Sequence, residues 1–248
     1  MDMNERLWLT STDPLALLAE LFPQTTLGSE QPQTRRSRMY LLACARRSWE
    51  RLPVVCRALV ALAEVCTDSS NKEEWLWAQV APIAEQLMHS EGEPSDLLAA
   101  HTGLLLAQHI AGDVELALRD ASIPPYATPN PPLTSEEWRG LVQLVYLPFV
   151  RNTPTYGWVP QSLHSARLLR EVCGNPYRFI PFEVAWRTSD AVAIARHMYD
   201  SREFSAMPIL ADALQEAGCN SAAVLDHCRK QGKHVRGCWV VDRVLNLK

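Results

Sequence analysis

Apolar residues recur along this chain at helical spacing, and nearly every such run is cut by a proline or a glycine before it can lengthen. Helices of this kind are short and amphipathic, so each must bury one face against a neighbour to be stable. Asp13 before Pro14 reads as an N-cap with a first-turn proline opening LALLAELF, which Pro23 stops. A second helix is predicted from Ser37 to Arg51, with Leu41, Ala45, Trp49 and Leu52 inward, and Pro53 ends it. Two further helices are predicted between Ser70 and Gly112, and Thr134 with Glu137 stands at capping-box spacing for another. SLHSARLLREVCG stops at Gly174, AVAIARHMYDS is capped by Thr188, Ser189 or Asp190, and the next helix stops at Gly218. Ser221 starts a helix to Lys230, and WVVDRVL closes the chain as a helix, with a strand as the alternative.

Nothing alternates with period two for long enough to make a sheet. The expected fold is all-α or nearly so: a multi-helix bundle or an irregular helical-hairpin stack with proline-rich loops and no repeat of fixed spacing. Five prolines in residues 121–133 rule out a regular element there. The predicted organisation is therefore an N-terminal helical region over 1–120, a linker or packed loop over 121–135, and a C-terminal helical region over 136–248. A single continuous domain is the alternative.

Composition narrows the setting. At 248 residues with 47% hydrophobic and 21% charged, the chain can bury a sizeable core and is not of a disordered type. No apolar run is long enough to span a bilayer, so no membrane is expected as a partner. The polar start MDMNERLWLTSTDP lacks the basic and apolar regions of a secretory leader. The seven cysteines are odd in number and form no CxxC pair, which predicts free thiols and a cytoplasmic location.

Chemistry-bearing residues gather in the last stretch, Met207 to Lys248, with three of the seven cysteines and two of the seven histidines. His227, Cys228, His234 and Cys238 are of the types that ligate zinc. Cys219 is excluded from the same ion: eight residues of helix separate it from His227 by about 12 Å. His227 and Cys228 are neighbours about 100° apart on the helix, so only one of them points inward. Three ligands result, and the competing reading is a set of buried thiols with two hydrogen-bonded histidines. No cofactor other than zinc is expected. No GxSxG, P-loop, HExxH or GxGxxG motif is present. A nucleophilic pair of Cys228 or Cys238 with His234, oriented by Asp212 or Asp242, is the one catalytic arrangement the residues offer.

Two segments are basic in a chain of net charge −4. Arg35 to Arg51 holds six arginines against Glu50, and Arg229 to Arg243 holds five cations against Asp242. Arg36, Arg46, Arg47 and Arg51 fall on one side of the predicted helix. With Arg229, Lys233 and Arg236 they make a candidate surface for nucleic acid or another polyanion. An aromatic and proline-rich tract with Phe149, Tyr156 and Trp158 offers anchors for a protein partner.

WLTSTDPLALL, RRSRMYLLACARRSW, CGNPYRF and the terminal LADALQEAGC…HCR…HVRGCWVVD together resemble a family of uncharacterised bacterial proteins that occur in many copies in some large genomes. The likeness covers both ends of the chain and leaves residues 70–135 out. In that family the loop between Arg229 and His234 is richer in glycine and proline than KQGK, and a further cysteine often stands near Ala45. The resemblance implies no activity. Three functions are therefore carried forward from the residues. The first is a non-enzymatic helical module that binds a protein partner. The others are a zinc-binding domain or small zinc-dependent enzyme centred on 227–238, and a polyanion-binding protein.

Overall fold

In the computed structural model the residues described are 4–21, 35–49, 52, 57, 60, 61, 63, 64, 67, 68 and 165–247. They hold eight continuous α-helices and no strand, so the fold is all-α. None of these helices is long and apolar enough to cross a membrane. The chain divides into two compact units, one of residues 1–13 with 166–248 and the other of residues 14–165. The proline-rich segment, the helices expected between 70 and 112, the Thr134 capping box, the aromatic tract and Arg51 lie outside the described residues.

In the unit of residues 14–165, α2 runs Pro14–Leu21 and α3 runs Arg35–Arg47. The inward stripe expected of α3 is wider than predicted, because Met39 through Ala45 are all buried. A helix enclosed on every side belongs to a core rather than a surface. Its charged ends are compensated. Arg35 bonds Asp68 at 2.9 Å, and Arg46 bonds Glu64 through two hydrogen bonds of 3.0 and 2.9 Å. The Arg46 guanidinium also lies 3.8 Å from the Trp49 ring centroid. Burial pushes the Cys44 thiol up to about 12, which leaves it an inert apolar side chain.

The other unit begins with a helix that the sequence did not advertise, α1, Glu5–Thr10. Asn4 caps it by accepting from the Leu7 amide at 3.0 Å, and Trp8 is its one buried residue. Then come α4 (Ala166–Cys173), α5 (Ser189–Ser201), α6 (Met207–Glu216), α7 (Ala222–Arg229) and α8 (Trp239–Leu245). The predicted stops hold: Gly174 and Gly218 take φ of 70° and 89°, a region that L side chains enter at a cost. Thr188 is the cap of α5, accepting from the Ala191 amide. Helix α6 packs on α7, α5 packs on α6 and α8, and α8 touches α4 and α7. Ala195, Met198, Leu210, Leu214, Val224, Val240 and Val244 are fully buried between them. The 175–183 stretch is irregular and ends in a 3-10 turn, Val184–Trp186.

Candidate metal centre

Helix α4 buries Leu168, Leu169, Val172 and Cys173. Arg167, Arg170 and Glu171 therefore share its other face, being spaced i, i+3 and i+4. Helix α7 buries Val224, Leu225 and Cys228, which turns His227 in its last turn sideways toward α4. The chain then loops back through Lys230 to Gly237, whose φ of 89° makes the turn that delivers Cys238 to the start of α8. Trp239 begins that helix and closes on Gly174, where a Cβ would meet its ring at 3.2 Å. Gly174 is thus required both by its backbone conformation and by this approach.

These elements bring Glu171, His227, His234 and Cys238 together, with one ligand atom from each lying within 4.8 Å of all the others. His234 Nδ1 is 2.7 Å from Glu171 Oε1, His227 Nε2 is 3.5 Å from the same oxygen, and His227 Nε2 is 3.1 Å from Cys238 Sγ. The two imidazoles stand edge to face with centroids 5.1 Å apart. For a tetrahedral zinc with ordinary bond lengths the donor atoms are about 3.4 to 3.6 Å apart, so only small shifts separate this cluster from a coordination shell. Cys228, one of the four residues singled out in the sequence, is not in the group. It points into the apolar interior, where burial, then Glu171 and Cys219, pushes its thiol up to about 12.

Glu171 is a fourth member of the group that the sequence did not point to. Sequence reasoning missed it because nothing within α4 distinguishes it from the other acids, and it meets the histidines only through folding across more than fifty residues. Burial works against its charge, but hydrogen bonds from His227 and His234 and the charges of both rings outweigh burial and hold its carboxyl down at about 2. Cys238, wholly buried, has its thiol pushed well above the ordinary range by burial and then by Glu171. That excludes it as a free nucleophile. Asp212, offered as an orienting acid, is instead paired with Arg229 at 2.8 Å.

Hydrogen bonding also fixes a tautomer. The Trp239 indole N–H, which can only donate, reaches His227 Nδ1 at 3.2 Å. A neutral His227 then carries its proton on Nε2, facing Glu171 and Cys238, and cannot act as a base toward the thiol. An ion at Nε2 would have to move that proton to Nδ1, against the indole. The indole bond and an ion compete for His227.

Glu171, His227 and His234 also line a cavity of about 470 Å³ together with Leu9, Arg167, Arg170, Lys230, Gln231, Gly232 and Lys233. Arg170 is held there by the carbonyls of Trp8, at 2.6 Å, and Ser11. The residues proposed for polyanion binding are placed less openly than their sequence suggests. Arg46 is committed to Glu64, Arg229 bonds Asp212 and Gln215, and Arg236 lies over the Tyr199 ring. Arg36 and Arg47 are exposed on α3, and Lys233 is exposed in the loop.

No known protein family, curated protein or solved structure matches the chain. The likeness to the multi-copy bacterial family rests on its quoted motifs alone, and the four-residue cluster has to be read from its own chemistry.

Proposed function

We propose that the unit formed by residues 1–13 and 166–248 is a zinc-binding domain, with Glu171, His227, His234 and Cys238 as its ligands. The observation that carries this reading is the convergence of two imidazoles, a carboxylate and a thiol from α4, α7 and the 230–238 loop within 4.8 Å. Such a mixed nitrogen, sulfur and oxygen set suits zinc better than calcium or magnesium, which take oxygen. Zinc would displace the Cys238 proton and exchange the hydrogen bonds among these groups for four bonds. A free Cys238 thiol also calls for a reducing compartment, and the cytoplasm is the one proposed.

The test is elemental analysis of the purified protein together with thermal unfolding before and after chelation. About one zinc per chain and a lower Tm after chelation are expected; less than about 0.2 zinc per chain after reconstitution sinks the reading.

Two other readings rank behind it. Phe179 and Val184 stand 86% and 79% exposed, which favours a protein partner on the 175–184 segment. Single exposed apolar side chains are nevertheless ordinary on protein surfaces. Polyanion binding retains Arg36 and Lys233, which are exposed, but Arg46 and Arg229 have acidic partners.

A further inference from the structure

The cavity above the cluster is walled mainly by cations. Arg167 and Arg170 come from α4, Lys230 and Lys233 from the following loop, and the one carboxylate among the lining residues is Glu171. Glu171 is already engaged by two imidazoles. Arg170 is bonded to carbonyls, which orient a guanidinium without cancelling its charge. Among the described residues, Arg167, Lys230 and Lys233 have no acid within ion-pair distance. Like charges gathered around one concavity without counter-charges raise its potential and attract an anion.

Two independent details mark this as a prepared site. The first is Gly232. The Arg167 guanidinium lies against its backbone, and a side chain there would make that flexible end shift. The second is His234, whose side chain is 7% exposed and lines the cavity, and whose Nε2 is buried with no hydrogen-bond partner. Glu171 accepts from Nδ1–H of His234, so Nε2 is left to whatever occupies the space beside it. In that tautomer Nε2 is an acceptor, which a hydroxyl of a ligand would satisfy.

We infer that this cavity binds a phosphate group, as the free ion or as part of a phosphorylated small molecule, with Arg167, Lys230 and Lys233 neutralising it beside the carbonyl-held Arg170. None of these cations belongs to the proposed zinc ligands, so anion binding does not require zinc. The cavity volume exceeds what an inorganic phosphate fills and falls in the range of small-molecule sites, so room remains for an organic portion beside Leu9.

The experiment is calorimetric titration of the full chain with inorganic phosphate, in zinc-loaded and chelated samples whose zinc content is measured in parallel. Saturable binding in the millimolar range or tighter is expected, weakening as salt is raised. Arg167→Ala and Lys233→Ala should each weaken it at least about tenfold while leaving zinc content and Tm unchanged. Glycerol phosphate in place of the ion separates the sources: tighter binding assigns a phosphorylated molecule, and equal or weaker binding assigns the ion. No saturable heat in either metal state, or binding that both variants leave intact, overturns the inference. Zinc bound without phosphate sinks the anion site alone, whereas phosphate bound by a chain that takes up no zinc on reconstitution sinks the metal reading alone.

Discussion

His234 Nδ1 and Glu171 Oε1 lie 2.7 Å apart although 63 residues separate them in the chain. The pair ties the loop after α7 to α4, and it is the contact through which the acid of one helix enters a group otherwise made of residues from the last part of the sequence. Its removal should be felt first in metal affinity. Glu171→Gln keeps the shape and one hydrogen bond but loses the charge. Because even residues that only orient a ligand are worth ten- to hundredfold in affinity, Glu171→Gln should weaken zinc binding by about 100-fold in competition with a chromophoric chelator. Cys228→Ser should leave it within about twofold, because Cys228 faces the apolar interior and not the cluster. Equal losses in both variants would contradict the ligand assignment.

The metal-free protein should be acid-labile in a defined window. Glu171 titrates at about 2 when folded against an ordinary value of 4.5, so the unfolded chain binds the proton more readily. Its contribution is fully present above the unfolded value and is lost as pH falls from about 4.5 toward 2, amounting to on the order of 3 kcal/mol. Urea midpoints measured from pH 6 down to pH 2.5 should fall more steeply for the native chain than for Glu171→Gln. Parallel curves would refute the assignment.

Trp239 opposes an ion at His227 by donating to the nitrogen that must carry a proton when Nε2 ligates. Trp239→Phe keeps an aromatic ring against Gly174 and removes the donor. Zinc affinity should rise, by up to about tenfold, which is the scale of such outer contacts. In the native chain zinc should also change the indole emission by breaking this bond, and the substituted chain should lack that change.

In the unit of residues 14–165, Glu64 is the buried counter-charge of Arg46. Glu64→Ala leaves a guanidinium with little access to water and should cost about 3 to 5 kcal/mol, read as a lower denaturant midpoint. Replacing both residues by apolar ones of similar volume, Arg46→Met with Glu64→Leu, should recover most of that loss. A double variant as unstable as Glu64→Ala would show that the packing, not the lost ion pair, sets the cost.

Helix boundaries and their stops were legible before any coordinates because they are decided within a few residues. Pro14 opens α2, Thr188 caps α5, and the left-handed Gly174 and Gly218 end α4 and α6 by local sterics alone. Helix α1 escaped because six residues of mixed polarity carry no periodic signal, and its stability comes from Asn4 and from Trp8 buried beneath it. The helical wheel grouped Arg46 with Arg36 and Arg47, yet Glu64 draws it inward, a partner that periodicity within α3 cannot reveal.

The sequence by itself therefore determined an all-helical chain, the positions where its helices break, and a terminal stretch rich in metal-ligating side chains. Only the tertiary structure decided that His227 rather than Cys228 meets His234 and Cys238, that Glu171 joins them, and that four cations surround the space above. The reason is range. Caps and turns are settled by the φ and ψ of neighbouring residues, whereas a shared site depends on how α4, α7 and α8 bury their apolar faces, and that packing chooses which polar side chains are left to face one another.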